Sequence, residues 1–108
     1  MIMALPDTAD ALAPELRDTF EMIRATFPHG IPDDAYRPLL ALLYEGMSFR
    51  TVAKVIEYCT GRPYELVYHD VIAAISPSAP APLSPEQIEN VREQLREHGY
   101  DAWLAKAE

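Results

Sequence analysis

The chain has a single cysteine, Cys59, among 108 residues. One thiol excludes an internal disulfide and any multi-cysteine metal cluster, and it fits a reducing compartment. Positive charge is scarce as well: nine lysines and arginines stand against seventeen acids, a formal net charge of -8. A molecule of that sign repels polyanions, so nucleic acid and acidic membrane surfaces are disfavoured as partners. No apolar run approaches the length needed to cross a bilayer. The opening residues, Met1 to Asp7, lack the basic region and long apolar core of a secretory signal. The cytoplasm is the expected location. No nucleophile elbow, phosphate-binding glycine loop or dinucleotide fingerprint is present, and no glycine-rich linker separates domains.

What is there is helical. Nearly half the residues are apolar and about a quarter charged, the average of globular domains. At this size the chain should bury about two-thirds of its extended surface, enough for one core and not for two. Leu16, Phe20, Ile23 and Phe27 recur at helical spacing and place a first helix over Pro14 to Phe27, closed by the break Pro28-His29-Gly30-Ile31-Pro32. A second helix is expected from Asp34 or Tyr36 to Glu45, with Asp33 as its N-cap and Pro38 in its first turn. Its run Leu39, Leu40, Leu42, Leu43 is apolar on most sides, which marks the central helix. Ser48 caps a third helix over Phe49 to Thr60, ended by Gly61, with Phe49, Val52, Ile56 and Cys59 inward and Arg50, Lys54 and Glu57 outward. A fourth helix over Pro63 to Ile75 groups Tyr64, Val67, Tyr68, Val71 and Ile75 opposite Glu65, His69 and Ala73.

Residues 76–84 form a proline-rich connector that cannot be helical. Ser84-Pro85-Glu86-Gln87 is then a capping box, in which Ser84 accepts from the Gln87 amide and Gln87 reaches back to Ser84. The fifth helix runs to His98 and stops at Gly99, with Ile88, Val91 and Leu95 inward. The tail, residues 100–108, adds a short turn docking Trp103 and Leu104, and residues 1–12 are expected to be a flexible N-terminus. The fold class is all-α, a single-domain bundle of about five helices.

Phe27-Pro28-His29-Gly30-Ile31-Pro32, Tyr36 and Pro38-Leu39-Leu40-Ala41-Leu42-Leu43, followed by Ser84-Pro85-Glu86, Val91-Arg92, Leu95 and Gly99-Tyr100, together resemble a family of small actinobacterial proteins, domain-of-unknown-function family thirty-three forty-nine. The likeness spans roughly Leu16 to Leu104 in order. It implies a five-helix bundle and supplies no activity, cofactor or catalytic residue.

The strongest functional lead is Gly46 to Val55, which resembles the turn and second helix of a helix-turn-helix unit spanning residues 39–60. Arg50, Thr51 and Lys54 would be its outward, nucleic-acid-reading or partner-reading side chains. Any short capped turn between two helices generates similar letters. Leu42 also stands where close helix approach usually wants a small residue. Cys59, on an inner helical face, reads as a small apolar residue rather than a nucleophile. Glu65 and His69, four apart, make two ligands at most, which falls short of a metal site. The ladder Glu86, Glu89, Glu93, Glu97, interleaved with Arg92 and Arg96, reads as a solvated surface. No catalytic, cofactor or metal site is assigned. The expectation is a monomeric, non-enzymatic protein-interaction or regulatory module; a helix-turn-helix DNA-binding protein is the second reading and a small enzyme without a recognisable motif the third.

Overall fold

A computed structural model describes the backbone of residues 2–3, 12–76 and 83–106. Residues 77–82 of the proline-rich connector, and residues 4–11 of the expected flexible N-terminus, lie outside the described residues.

Helix α1 (Arg17–Thr26) is preceded by a 3-10 turn over Pro14–Leu16, where proline occupies the first position and the missing amide costs nothing. The helix stops at Phe27, whose backbone leaves helical geometry ahead of Pro28. Helix α2 (Asp33–Tyr44) starts earlier than expected. Pro32 holds the extended cap position, and Asp33 is the first helical residue rather than the N-cap. Asp33 and Asp34 thus sit in the first turn, where the helix dipole favours negative charge. The earlier start moves Pro38 into the second turn, where its missing N–H leaves the Asp34 carbonyl without the hydrogen bond of the usual i+4 donor. Asp34 is exposed, so water can replace that bond.

Ser48 caps α3 (Phe49–Thr60) as expected, its Oγ accepting from the Thr51 amide at 3.3 Å. Gly61 ends that helix at φ +76°, a left-handed geometry that glycine adopts without a Cβ penalty. Three residues later α4 (Tyr64–Ile75) begins. The capping box at α5 (Pro85–Arg96) is complete: Ser84 N–H donates to Gln87 Oε1 at 2.9 Å, and Gln87 N–H donates to Ser84 Oγ at 3.2 Å. Helix α5 ends at Arg96, not His98, which lies in the following turn with Gly99 at φ +96°. The tail is more ordered than a turn, forming a sixth helix, α6 (Tyr100–Lys106). A minimal antiparallel pairing joins β1 (Ile2–Met3) to β2 (Ile31–Pro32).

Helix α2 is central, packing on α3, α4 and α5, with Leu39, Leu40, Leu42 and Leu43 wholly buried. Phe20 and Ile23 of α1, Val52 and Ile56 of α3, Val67 and Val71 of α4, and Leu95 of α5 close around it. All belong to one cluster. The radius of gyration, 12.7 Å, matches the roughly 13 Å of a hundred-residue domain.

Candidate interaction face

Two tyrosines clamp α2 to its neighbours and set the geometry of the surface beside them. Tyr36 Oη donates to Asp70 Oδ2 of α4 at 2.7 Å, Arg62 pairs with the same oxygen at 3.5 Å, and its guanidinium lies 5.3 Å from the Tyr36 ring centre. Burial first, and then the bond to Asp70, push the Tyr36 hydroxyl well above its ordinary pKa. On the other side, Tyr100 Oη donates to Glu45 Oε1 at 2.8 Å and lies 3.0 Å from the Leu42 carbonyl, while Arg92 pairs with Glu45 at 3.1 Å. Its hydroxyl is likewise raised by burial and by Glu45.

With α2 and α4 fixed this way, a run of rings emerges at the surface. Tyr44, the last residue of α2, stacks on Phe49, the first of α3, at 4.4 Å and 19°. Phe49 lies 6.1 Å from Tyr68, and Tyr68 lies 6.1 Å from Tyr64 one helical turn back. Tyr64, Tyr68 and Phe49, all expected to face inward, are only half-buried and rim the core instead. Their size and, for the tyrosines, the hydroxyl suit a boundary between apolar interior and water. Ile72 continues the ridge one turn beyond Tyr68 and is 40% exposed; Tyr44 is 37% exposed. A shallow pocket of about 260 Å³ opens beside the ridge, lined by Arg50, Tyr64, Glu65, Tyr68 and His69.

The three side chains singled out from the sequence are not brought together. Arg50 is exposed at the mouth of that pocket, and Lys54 is exposed one turn further along α3. Thr51 is half-buried, its Oγ1 3.0 Å from Ser48 Oγ, and it lines a different pocket of about 230 Å³ with Leu16, Met47 and Trp103. Helix α3 packs mainly on α4, and less on α2, the helix that would be its helix-turn-helix partner. The sequence reading missed the aromatic ridge. Its signal was the i, i+4, i+8 placement of Tyr64, Tyr68 and Ile72, of which the helical wheel assigned the two tyrosines to the core.

Cys59 is buried and free, and burial pushes its thiol up to about 12. Glu65 and His69 both line the Arg50 pocket, and among the described residues no group of three or more His, Cys, Asp or Glu could hold a metal ion. No helix of the described residues is long and apolar enough to cross a membrane.

The family model described as "Protein of unknown function (DUF3349)" matches residues 15–103. Comparisons with curated proteins and with solved structures each found no match.

Proposed function

Because the chain belongs to the DUF3349 family, to which no activity is assigned, we propose its role from its surface chemistry: a non-enzymatic protein-interaction module that docks a partner on the α3–α4 face. The observation that carries this reading is the contiguous ridge Tyr44, Phe49, Tyr68, Tyr64 and Ile72 beside an exposed arginine. Tyrosine and arginine are the residues over-represented where interface energy concentrates. A large ring held by neighbouring rings also loses little conformational freedom on binding.

The distribution of shifted titratable groups supports a role without catalysis. Tyr36, Cys59 and Tyr100 are buried in the core, and Arg92 is engaged by Glu45 and Glu89. None of these lines the pockets at Arg50 or at Trp103. The reading takes the molecule as a cytoplasmic monomer.

DNA binding is the second reading, favoured by the Ser48-capped start of α3 with Arg50 and Lys54 outward. Against it, Glu65 shares the Arg50 pocket and sets a carboxylate beside that cation.

The test is photo-crosslinking in the native cell, with a photoreactive amino acid at position 44 or 72 on the ridge, or at Gln94 on α5. Adducts of one defined mass at the ridge positions and none at Gln94 are expected. Equal labelling at all three, or none, would defeat the reading.

A further inference from the structure

We propose that the cleft beside Trp103 binds a free α-amino acid with an apolar side chain, its ammonium on Asp18, its carboxylate on Lys106 and Thr19, and its side chain against Leu16, Met47 and the indole. The inference goes beyond the docking-face reading, because the cleft shares no lining residue with the aromatic ridge or the pocket at Arg50.

The cleft opens where α6 meets α1 and the turn between α2 and α3. Its apolar wall is fixed. Trp103 Nε1 donates to Thr19 Oγ1 at 2.7 Å, and the ring stacks on Tyr100 at 5.7 Å and 27°, which together hold the indole in one orientation. Leu16 and Met47, both half-buried, add an aliphatic and a thioether surface. A wall already in place receives a ligand side chain with little ordering of the protein. The volume, about 230 Å³, falls below the roughly 300–1,000 Å³ usual for drug-sized ligands. The occupant is accordingly a smaller molecule.

Thr19 gives the cleft a polar anchor. It is 2% exposed, yet it lines the space. Its hydroxyl accepts the indole N–H, while its own proton meets no acceptor among the described residues. A buried hydroxyl normally uses its donor, and a carboxylate oxygen in the cleft would take that proton. Asp18 and Lys106 are the charged residues of the lining, one of each sign. Their own pair is loose: Nζ and Oδ2 lie 4.0 Å apart, with the lysine 75% and the aspartate 80% exposed. Such a pair contributes little and opens readily. An α-amino acid carries an ammonium and a carboxylate on one carbon, so it replaces one weak contact with two charge-assisted ones and adds the bond to Thr19. A simple anion would meet Asp18, and a simple cation would meet Lys106. A neutral apolar molecule would leave the Thr19 proton and both charges unused. The neighbouring cleft across Trp103 has two acids, Asp18 and Glu21, and lacks Thr19, which places the ligand on the α2–α3 side of the indole.

Trp103 is the only tryptophan of the chain, so its fluorescence reports the cleft directly. The whole chain is titrated with leucine and phenylalanine, and with leucinamide, N-acetylleucine and glycine, which lack the carboxylate, the ammonium and the apolar side chain respectively. Leucine or phenylalanine should give a saturable change below about 10 mM, the range open to a ligand of so few atoms. Each of the other three should bind about tenfold more weakly or worse, the loss expected for one charge-assisted contact or the apolar one. Lys106→Gln should erase the discrimination against leucinamide and keep that against N-acetylleucine. Asp18→Asn should do the reverse. Both positions are exposed, and a circular dichroism melt confirms that each variant is folded. A merely structural role for the Asp18–Lys106 pair would weaken all ligands alike and leave the discrimination unchanged. That result would overturn the proposal, as would no saturable change with either amino acid, or leucinamide, N-acetylleucine or glycine binding as well as leucine.

Discussion

Tyr100 and Glu45, 55 residues apart, share a hydrogen bond of 2.8 Å that ties the start of α6 to the end of α2. The same hydroxyl lies 3.0 Å from the Leu42 carbonyl, and Arg92 of α5 holds Glu45 from the other side. Tyr36, Asp70 and Arg62 repeat the motif between α2 and α4. Each is a tyrosine, a carboxylate and an arginine joining the central helix to a neighbour.

Replacing Tyr100 with Phe keeps the ring and removes only the donor. The loss expected is about 1–2 kcal/mol, the net value of a hydrogen bond to a partly charged acceptor plus the cost of an under-satisfied carbonyl. Urea unfolding measures it. A double-mutant cycle with Glu45→Gln should show coupling, and strict additivity would mean that the two residues do not act together.

Ser84→Ala removes the acceptor of the Gln87 amide and should cost about 1 kcal/mol. Hydrogen exchange at Gln87 should quicken with it. Unchanged exchange would place the start of α5 elsewhere.

Leu43→Ala opens a void in the most enclosed part of α2, where four leucines have no exposed surface. A loss of about 2–5 kcal/mol is expected, the range for buried leucines whose cavity only partly collapses. A loss under about half a kcal/mol, the usual size of a surface substitution, would contradict the central position of the helix.

The Ser84 box, the Ser48 cap and the leucine run of α2 are local, because the partner of each group lies within one helical turn or the pattern alone forces burial. Pro38 is less local. Its place in the second turn depends on the helix starting at Asp33, with Pro32 in the extended cap position. The tail was expected to dock Trp103, with no partner legible for it or for Tyr100. Their partners Glu45 and Thr19 lie 55 and 84 residues away, beyond any periodicity. Tyr64 and Tyr68 have the right phase for the core, and phase cannot say that a ring stops at its rim. The candidate face was therefore half legible: Arg50 and Lys54 from their outward spacing, and the aromatic ridge only from the fold.

Duplex DNA binding should be weak at physiological salt. Residues 35–64 carry four basic side chains against two acids, yet the flanking stretches, residues 1–34 and 65–108, each carry a net -5. One of the four, Arg62, is already paired with Asp70. Specific complexes commonly neutralise about six to ten phosphates. Electrophoretic mobility shift with random-sequence and genomic fragments should show no tight complex, and nanomolar, salt-sensitive binding lost in the Arg50→Glu, Lys54→Glu double variant would establish the second reading instead.

Alkaline pH should destabilise the fold through three buried groups. Tyr36 and Tyr100 have folded-state pKa values raised above the ordinary 10.0, and Cys59 is raised from 9.0 to about 12. In each case burial is the largest cause, because it disfavours the anion. The folded state therefore holds these protons more tightly than the unfolded chain does. Their contribution to stability is complete below the unfolded values and is lost as pH rises through the folded ones. Stability should be insensitive to these three groups below about pH 8.5 and should fall steadily from about pH 9, first through Cys59 and then, above about pH 10, through the tyrosines as well. Urea midpoints at pH 8, 9, 10 and 11 measure the fall. Rising net negative charge also destabilises over this range, so the diagnostic is the slope in variants. Tyr36→Phe and Tyr100→Phe should each start less stable at pH 8 and lose less between pH 10 and 11 than the parent chain. Cys59→Ala should flatten the fall from about pH 9 through the highest pH measured. Parallel curves in all four proteins would show that these hydroxyls and this thiol titrate alike in the folded and unfolded states, and that the two tyrosine clamps are more open to water than their geometry implies.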